Sequence, residues 1–387
     1  MTGLGKLRRN SLVVLLVLLV GLSLLNTFQL TSITGKLAGK MAEAKELARP
    51  AKIEITQLVS GPCGASGCYD IGLSLDSLKQ QNVEVTKEQT IGFESAEGKA
   101  AAEASGVQRL PALIVSVEPK KAEQMKGYWK RVNAIEAGNG KAVIQAPVPP
   151  YYDVGQGKVA GLVKLIALTD DACTQCIKLD GVITALEGAG IKIVDKQAQA
   201  YDSAEGKAAI AKFGVTRVPA IVVSNDITVY EGMAQQLQAL NSVEKDGYYV
   251  VHSLTPPYRD VASNQVKGLV QVVYLTDNSC KECFDVKINK QILQRFGLAI
   301  ESEKTLDIAS KEGKELLNRF NITKVPAFLA SGEAKEYAAF NSVWKQVGTI
   351  EGEGWYVFRK PELFGAYKDL EKGVVVAPQP QNQGQAD

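Results

Sequence analysis

The chain has 387 residues, of which 45% are hydrophobic and 22% are charged, and its formal net charge is +2. This composition is typical of ordinary globular domains, and the length predicts two to three of them. A nearly neutral chain without a basic stripe argues against a nucleic-acid partner.

The N-terminal segment combines a basic flank with an apolar run. Lys6, Arg8 and Arg9 precede a charge-free stretch that extends from Asn10 to Gly35. Basic residues stay on the cytoplasmic side of a membrane helix. We therefore expect a single-pass protein of the cell membrane, with a cytoplasmic N-terminus and extracytoplasmic domains, in a bacterial envelope.

The predicted segments are a cytoplasmic N-terminus at residues 1–10, a transmembrane signal anchor at residues 11–30 and a stalk at residues 31–50. A cleaved signal peptide is the alternative to an anchor. However, no Ala-x-Ala cleavage site follows the apolar run, so an uncleaved anchor is favoured.

Six cysteines form three pairs, and each pair is followed by a proline at a fixed distance. The proline always lies 43 residues after the second cysteine, and a Glu-Gly-Lys motif begins 14 residues before the proline. A period of 107 to 108 residues matches a whole small domain, so three tandem units are expected. The cysteine pairs are Cys63/Cys68, Cys173/Cys176 and Cys280/Cys283, and the prolines are Pro111, Pro219 and Pro326.

The second unit shows the pattern of elements around its cysteines. Leu162–Thr169, Ile191–Asp195 and Ala220–Ser224 are short apolar runs that favour buried strands, and Lys178–Leu186 has helical spacing. Strands alternating with helices over short connections predict parallel crossovers and a covered sheet.

Pro149-Pro150 and Pro256-Pro257 recur near the unit boundaries and are interpreted as stiff linkers. The predicted domains are residues 51–153, 160–260 and 267–373, followed by a disordered tail at 374–387.

A Cys-x-x-Cys at the start of a helical pattern, with a Val-Pro 43 residues later, resembles the thioredoxin-like superfamily. The resemblance covers Lys52 to about Gly373, in the tandem manner of protein disulfide isomerases. It implies an α/β fold of three tandem thioredoxin-like domains, each a central mixed sheet flanked by helices. The predicted N-terminal transmembrane helix precedes these domains. It also implies that the three prolines are cis and that the backbone before each can pair with an extended substrate strand. The substrate-binding residues would be Leu110, Pro111, Val218, Pro219, Val325 and Pro326.

The resemblance implies a role for each cysteine of the last two units. A thiolate at a helix N-terminus is stabilised by free N–H groups and the helix dipole. Cys173 and Cys280 are therefore predicted to be exposed nucleophiles, and Cys176 and Cys283 to resolve the mixed disulfide. The buried acid found in thioredoxins has no obvious counterpart in the strands before these cysteines.

The first unit departs from this pattern because four residues separate its cysteines. The two extra residues are expected to push Cys63 into a flexible loop. A catalytic role for Cys63 and Cys68 therefore stays open beside a structural one.

The expected function is a membrane-anchored, extracytoplasmic thiol–disulfide oxidoreductase acting on protein cysteines, without a cofactor. Its expected partners are cysteine-containing extracytoplasmic proteins and a membrane redox partner that resets the disulfides. The direction of electron flow stays open. The alternative is a redox-inert thioredoxin-like scaffold that binds peptides and uses its disulfides for stability. A zinc site is disfavoured because four ligands must converge on one ion, whereas the two Cys-x-x-Cys pairs lie 107 residues apart.

Overall fold

The computed structural model describes Gly21, residues 36–252 and residues 255–377. The chain divides into two compact bodies, the first ending at Ala160 and the second beginning at Gly161. The first body contains one five-stranded sheet, and the second contains two. A separate three-stranded sheet accompanies each five-stranded sheet. The bounds of the three domains stay a prediction.

The first unit is built on the sheet that carries the first cysteine pair. Its strands are β1 (Ala51–Val59), β2 (Val83–Gly92), β3 (Arg109–Leu110), β4 (Ala112–Val117), β5 (Ile135–Gly138), β6 (Lys141–Gln145), β7 (Tyr151–Asp153) and β8 (Lys158–Ala160). Its helices are α1 (36–48), α2 (Gly61–Ser66), α3 (Gly72–Lys79), α4 (Ala96–Ser105) and α5 (Ala122–Arg131). The large sheet has the order β2-β1-β4-β6-β5, and the small sheet has the order β3-β7-β8.

The second body repeats this arrangement twice, as the second and third units of the chain. The first copy contains β9 (Val163–Thr169), α6 (Leu179–Gly188), β10 (Ile193–Ala200), α7 (Ala204–Phe213), β11 (Arg217–Val218), β12 (Ala220–Ser224), α8 (Met233–Ala239), β13 (Val243–Lys245), β14 (Tyr248–His252), β15 (Tyr258–Asp260) and β16 (Gln265–Lys267). The second copy contains β17 (Leu269–Thr276), α9 (Ile288–Arg295), β18 (Ala299–Asp307), α10 (Lys311–Arg319), β19 (Lys324–Val325), β20 (Ala327–Ala330), α11 (Ala338–Val347), β21 (Gly348–Glu351), β22 (Trp355–Phe358), β23 (Tyr367–Asp369) and β24 (Val374–Val376).

Each large sheet is organised around the strand that precedes the cysteines. These strands, β1, β9 and β17, pair in parallel with the next strand along the chain. They pair antiparallel with the strand that follows the proline. This mixed strand order, with helices in the connections, is the pattern that the resemblance implied. The chain therefore carries three tandem thioredoxin-like units, and the prediction of an α/β fold with three mixed sheets is confirmed.

Different helices cover the two faces of each large sheet. In β4, Leu113 and Val115 point into a core formed with α3 and α5. The intervening Ile114 points into a second core, formed with α4. This alternation follows from the two-residue period of a strand. The aromatic Trp129 of α5 and Trp344 of α11 are buried in their respective cores.

The Glu-Gly-Lys motif marks the start of the helix that precedes each proline. In α7 the hydroxyl of Ser203 accepts a hydrogen bond from the N–H of Gly206 and donates one to the carbonyl of Ala200. This is an N-cap, which satisfies a donor that the helix itself cannot. A Cβ on Gly206 would lie 2.0 Å from the Ala200 carbonyl oxygen, so glycine allows the helix to begin against the end of β10. The same arrangement recurs with Ser95 and Gly98, and with Ser310 and Gly313.

The predicted membrane localisation is corrected by the structure. Among the described residues, no helix is both long enough and apolar enough to cross a bilayer. The helix of the predicted stalk, α1 at residues 36–48, spans about 20 Å at 1.5 Å per residue. That is shorter than the roughly 30 Å of a bilayer core. The predicted anchor at residues 11–30 lies outside the described residues except for Gly21, and the tail is described only to residue 377.

Candidate functional site

All six cysteines form disulfides within their own pairs. The Cα atoms are 4.9 Å apart in Cys63–Cys68, 5.3 Å in Cys173–Cys176 and 5.5 Å in Cys280–Cys283. The peptide bonds preceding Pro111, Pro219 and Pro326 are cis, as the resemblance implied.

The cysteines of the last two units precede their helices instead of starting them, which differs from the prediction. The helix α6 begins at Leu179, after Cys176, and α9 begins at Ile288, after Cys283. Turns and bends occupy residues 171–178 and 278–287 instead. An aspartate three residues before the first cysteine bonds the backbone at the start of each of these segments: Asp170 accepts a hydrogen bond from the N–H of Ala172, and Asp277 accepts one from the N–H of Ser279.

The three disulfides differ in how far solvent reaches them. Cys173 and Cys176 are each only 4% exposed, so the prediction of an exposed Cys173 is wrong. Cys280 and Cys283 are both partly exposed. Accessibility of the sulfur atom limits thiol–disulfide exchange. The two Cys-x-x-Cys pairs therefore differ in the exposure on which exchange depends.

In the first unit the two cysteines differ in exposure. Cys63 lies inside the short helix α2, and not in the flexible loop that was expected. It is buried, with its sulfur 3.6 Å from the carbonyl oxygen of Leu110, whereas Cys68 is partly exposed. Both cysteines line a cavity of about 660 Å³ together with Pro111 and Glu94.

The aspartates that precede the cysteines are buried acids, each with a cationic partner. The side chain of Asp170 is 0% exposed and lies 2.8 Å from Nε of Arg259. The side chain of Asp277 is 7% exposed and lies 2.5 Å from Nζ of Lys368. No buried acid was expected in the strands before the cysteines, and these two acids directly follow those strands. The signal that could have identified them was their equal position, three residues before the first cysteine in both units.

The buried aspartates link the cysteine loops to the segments that contain the cis prolines. Asp170 and Pro219 line one cavity of about 300 Å³. In the third unit the N–H of Cys280 donates to the carbonyl of Asp277, and Lys368, the partner of Asp277, lies opposite Val325 in the ladder of β19 and β23. In these two units the aspartate joins the cysteine loop to the strand that pairs with the residue before the proline. A direct approach of a cysteine to the proline dipeptide occurs in the first unit, where Cys63 Sγ lies against the carbonyl of Leu110.

Titration of Asp277 gives a test of its ion pair. Burial acts to raise the pKa of Asp277, but the bonds from Lys368 and Ser279 lower it below the ordinary value of 3.8. A depressed folded-state pKa contributes stability above the unfolded value, and this stability is lost as the pH falls through the folded value. We expect native-state hydrogen exchange at the β20 amides to show weaker protection below pH 3.8, with a smaller pH slope in Asp277→Asn. Equal slopes in the two proteins would contradict the assignment.

The backbone preceding each cis proline is already paired, which corrects the expectation of a free edge. Leu110 lies opposite Tyr152, Val218 opposite Arg259 and Val325 opposite Lys368. The strands that do this are β7, β15 and β23, and the first two directly follow the Pro-Pro segments. Those segments were interpreted as linkers, but they lead into sheet structure. A substrate-binding role for the six residues of the proline dipeptides stays a prediction.

One group of potential metal ligands occurs within the described part of the chain. The ligand atoms of Asp170, Cys173 and Cys176 lie within 4.8 Å of one another. The two sulfur atoms are joined in a disulfide, and the carboxylate is bonded to Arg259. Because metal ligation requires thiolates, this arrangement does not fit a metal site.

No protein-family model matches the chain, and no curated protein matches it in sequence. The alkylhydroperoxide reductase AhpF from Enterococcus faecalis is a similar solved structure, with 19% identity over 45% of this chain and 83% of that one, at a TM-score of 0.15. A protein disulfide oxidoreductase from Aeropyrum pernix has 16% identity over 46% of this chain and 78% of that one, at a TM-score of 0.13. Human ERp44 in a zinc-bound form has 9% identity over 78% of this chain and 86% of that one, at a TM-score of 0.14. Scores this low carry nothing about function, and the fold rests on the strand order, cysteine pairs and cis prolines above.

Proposed function

We propose that the chain is a thiol–disulfide oxidoreductase that exchanges disulfides with cysteines of other proteins, and that Cys280–Cys283 is its principal reactive pair. The observation that supports this most is a closed, partly exposed disulfide whose loop is linked, through the pair of Asp277 and Lys368, to the residue before a cis proline. Cys280 would be the nucleophile of the reduced form, and Cys283 would resolve the mixed disulfide.

The charges around Cys280 are compatible with this role. The Asp277 carboxylate by itself would oppose ionisation of a neighbouring thiol. Lys368 neutralises that carboxylate, and its Nζ also lies 3.4 Å from the hydroxyl of Ser279, next to Cys280. The thiolate would therefore form beside an ion pair instead of an isolated negative charge. A redox partner that resets the cysteines belongs to the proposal, because each exchange changes their oxidation state.

A second role, stabilisation by an inert disulfide, is favoured for one pair. Cys173 and Cys176 are nearly inaccessible, so an incoming thiolate cannot reach either sulfur without local opening. This pair fits the scaffold alternative better than it fits exchange.

Trapping of mixed disulfides tests the proposal. The reduced full chain carrying Cys283→Ser should form a stable mixed disulfide through Cys280 with a disulfide-bonded peptide, because the resolving thiol is missing. We expect the matched variant Cys176→Ser to trap at least about tenfold less, since Cys173 is shielded. Non-reducing mass spectrometry of the digested chain identifies the linked cysteine. Absence of a Cys280 adduct, or equal trapping by both variants, would contradict the proposal.

A further inference from the structure

The small three-stranded sheets cover the residue before each cis proline. We call the strand pairs β7–β8, β15–β16 and β23–β24 the cover hairpins. In the third unit the N–H of Leu370 donates to the carbonyl of Thr323, two positions along from the pair of Val325 and Lys368. Hydrogen-bonded pairs alternate in an antiparallel ladder, so Val325 and Lys368 exchange both backbone bonds. In the other two units the N–H of Val154 donates to the carbonyl of Gln108, and the N–H of Val261 donates to the carbonyl of Thr216. By the same alternation, Leu110 with Tyr152 and Val218 with Arg259 are hydrogen-bonded pairs.

Three contacts hold each cover hairpin, and they map onto a repeated Tyr-x-Asp. The tyrosine is buried beneath the basic residue that lies two positions before the proline. Arg109 lies over the Tyr151 ring at 4.6 Å, Arg217 over Tyr258 at 4.4 Å and Lys324 over Tyr367 at 5.2 Å. Such cation–π contacts stabilise the packing of the tyrosine against the basic side chain. The aspartate accepts backbone N–H bonds that close the hairpin turn.

The middle residue of the motif ties two of the cover hairpins to the cysteine loops. In the second and third units it is Arg259 or Lys368, paired with the buried aspartate three residues before the first cysteine. In the first unit it is Tyr152, whose ring lies 5.6 Å from that of Phe93. Because the cover hairpin recurs in all three units and is held by its own contacts in each, it is a regular element of the unit.

We propose that the Cys280–Cys283 disulfide reacts with thiols carried by small molecules or by cysteines in flexible segments, without backbone pairing between substrate and protein. This rests on the proposed exchange function and specifies its substrate class. A peptide that adds a strand gains its affinity from main-chain hydrogen bonds to an open edge. Here the groups that would make those bonds are occupied by the chain itself, while Cys280 and Cys283 stay partly exposed.

The exchange step balances without any further reactant. A substrate thiolate attacks the sulfur of Cys280, the bond to Cys283 breaks, and its electron pair leaves on Cys283 as a thiolate. A second substrate thiolate then attacks the substrate sulfur of the mixed disulfide and releases Cys280 as a thiolate. Two substrate thiols are oxidised to one disulfide, the cysteine pair gains two electrons, and the thiol protons pass to solvent or to the new thiolates.

Backbone methylation of the substrate tests the proposal. The probes are a heptapeptide with one central cysteine, its twin with N-methylated amides on both sides of the cysteine, and 2-mercaptoethanol. The opening rate of Cys280–Cys283 in the full chain is followed by acid quenching, alkylation and peptide mapping. We expect the two peptides to react within about twofold of each other, because no main-chain bond is made.

The control is the full chain carrying Lys368→Pro, which removes a backbone donor from the cover hairpin. In this variant the carbonyl of Val325 loses its donor and can accept a peptide N–H, so the unmethylated peptide should react faster than its twin. A slowing of the methylated peptide by about tenfold or more on the native chain would overturn the proposal, because that loss requires strand pairing. If none of the three probes opens the disulfide, the proposed exchange function fails as well, and the two failures are thereby distinguished.

Discussion

Replacement of Arg259 by methionine should lower the opening free energy of the sheet around β12 by about 3 kcal/mol, because it leaves a buried carboxylate without its cation. Asp170 is fully buried, and one of its oxygens is bonded to Nε of Arg259. The variant keeps one weaker bond to that carboxylate, from the N–H of Ala172 at 3.1 Å. Native-state hydrogen exchange at the amides of Ala220–Ser224 measures the change, because those protons report the opening of this sheet.

An exposed pair in the third unit provides the control for Arg259→Met. Arg319 and Glu353 are 3.4 Å apart with side chains 52% and 84% exposed. Arg319→Met should therefore change stability by less than about 0.5 kcal/mol. Asp170→Asn combined with Arg259→Met should recover part of the loss, because the buried charge is then removed. Equal effects of Arg259→Met and Arg319→Met would show that the buried pair is not a pair in solution.

Replacement of Gly206 by alanine should destabilise the same sheet by about 3 kcal/mol, as overpacking against a rigid backbone does. The added Cβ would lie 2.0 Å from the Ala200 carbonyl oxygen and 3.1 Å from the hydroxyl of Ser203, so the start of α7 must move away from β10. That shift also breaks the N-cap bond from Gly206 to Ser203. Hydrogen exchange at the β12 amides again measures the effect.

Gly181 is the matched control for Gly206. It lies within α6, where an added Cβ meets nothing within 4 Å. Gly181→Ala should therefore stabilise the protein by about 0.5–1 kcal/mol through helix propensity and chain entropy. The opposite signs of the two substitutions are the result that matters. A neutral Gly206→Ala would mean that the Glu-Gly-Lys repeat has another cause than close packing.

The repeated framework could be predicted because its physical causes are local and periodic. The cysteine–proline spacing and the Glu-Gly-Lys helix start recur in register three times, and the apolar run before the cysteines recurs twice. The predicted strand at Ala220–Ser224 matches β12, and the predicted helix at Lys178–Leu186 corresponds to α6 at Leu179–Gly188. Buried strands and capped helices are encoded in such short windows.

The site itself depended on contacts between distant segments, which no window contains. Asp170 and Arg259, which join the cysteine loop to the cover hairpin, are 89 positions apart. The burial of Cys173 is likewise a tertiary property, because the sequence of its loop resembles that of the partly exposed Cys280. The prediction of cysteines at a helix N-terminus failed because turns and bends continue past both cysteines of each pair before α6 and α9 begin.

One signal for the cover hairpins was present in the sequence. The motifs Tyr-Tyr-Asp, Tyr-Arg-Asp and Tyr-Lys-Asp follow the three cis prolines, and their middle residues lie 40 to 42 positions after the proline. Two copies follow Pro-Pro and were interpreted as linkers, whereas the third, at Tyr367–Asp369, has no proline before it. The strands β7, β15 and β23 have three residues each, and their partners before the prolines have two. Such short strands cannot show the two-residue periodicity by which a strand is recognised in a sequence.

The most direct test of the proposed chemistry is the rate at which each disulfide opens in the native full chain. The protein is exposed to limiting dithiothreitol, quenched with acid at intervals and alkylated, and each cysteine pair is quantified by peptide mapping. We predict that Cys280–Cys283 opens at least about tenfold faster than Cys173–Cys176, because only the former is reached by solvent. Opening of both pairs at one common slow rate, as expected when reduction requires unfolding, would contradict this prediction.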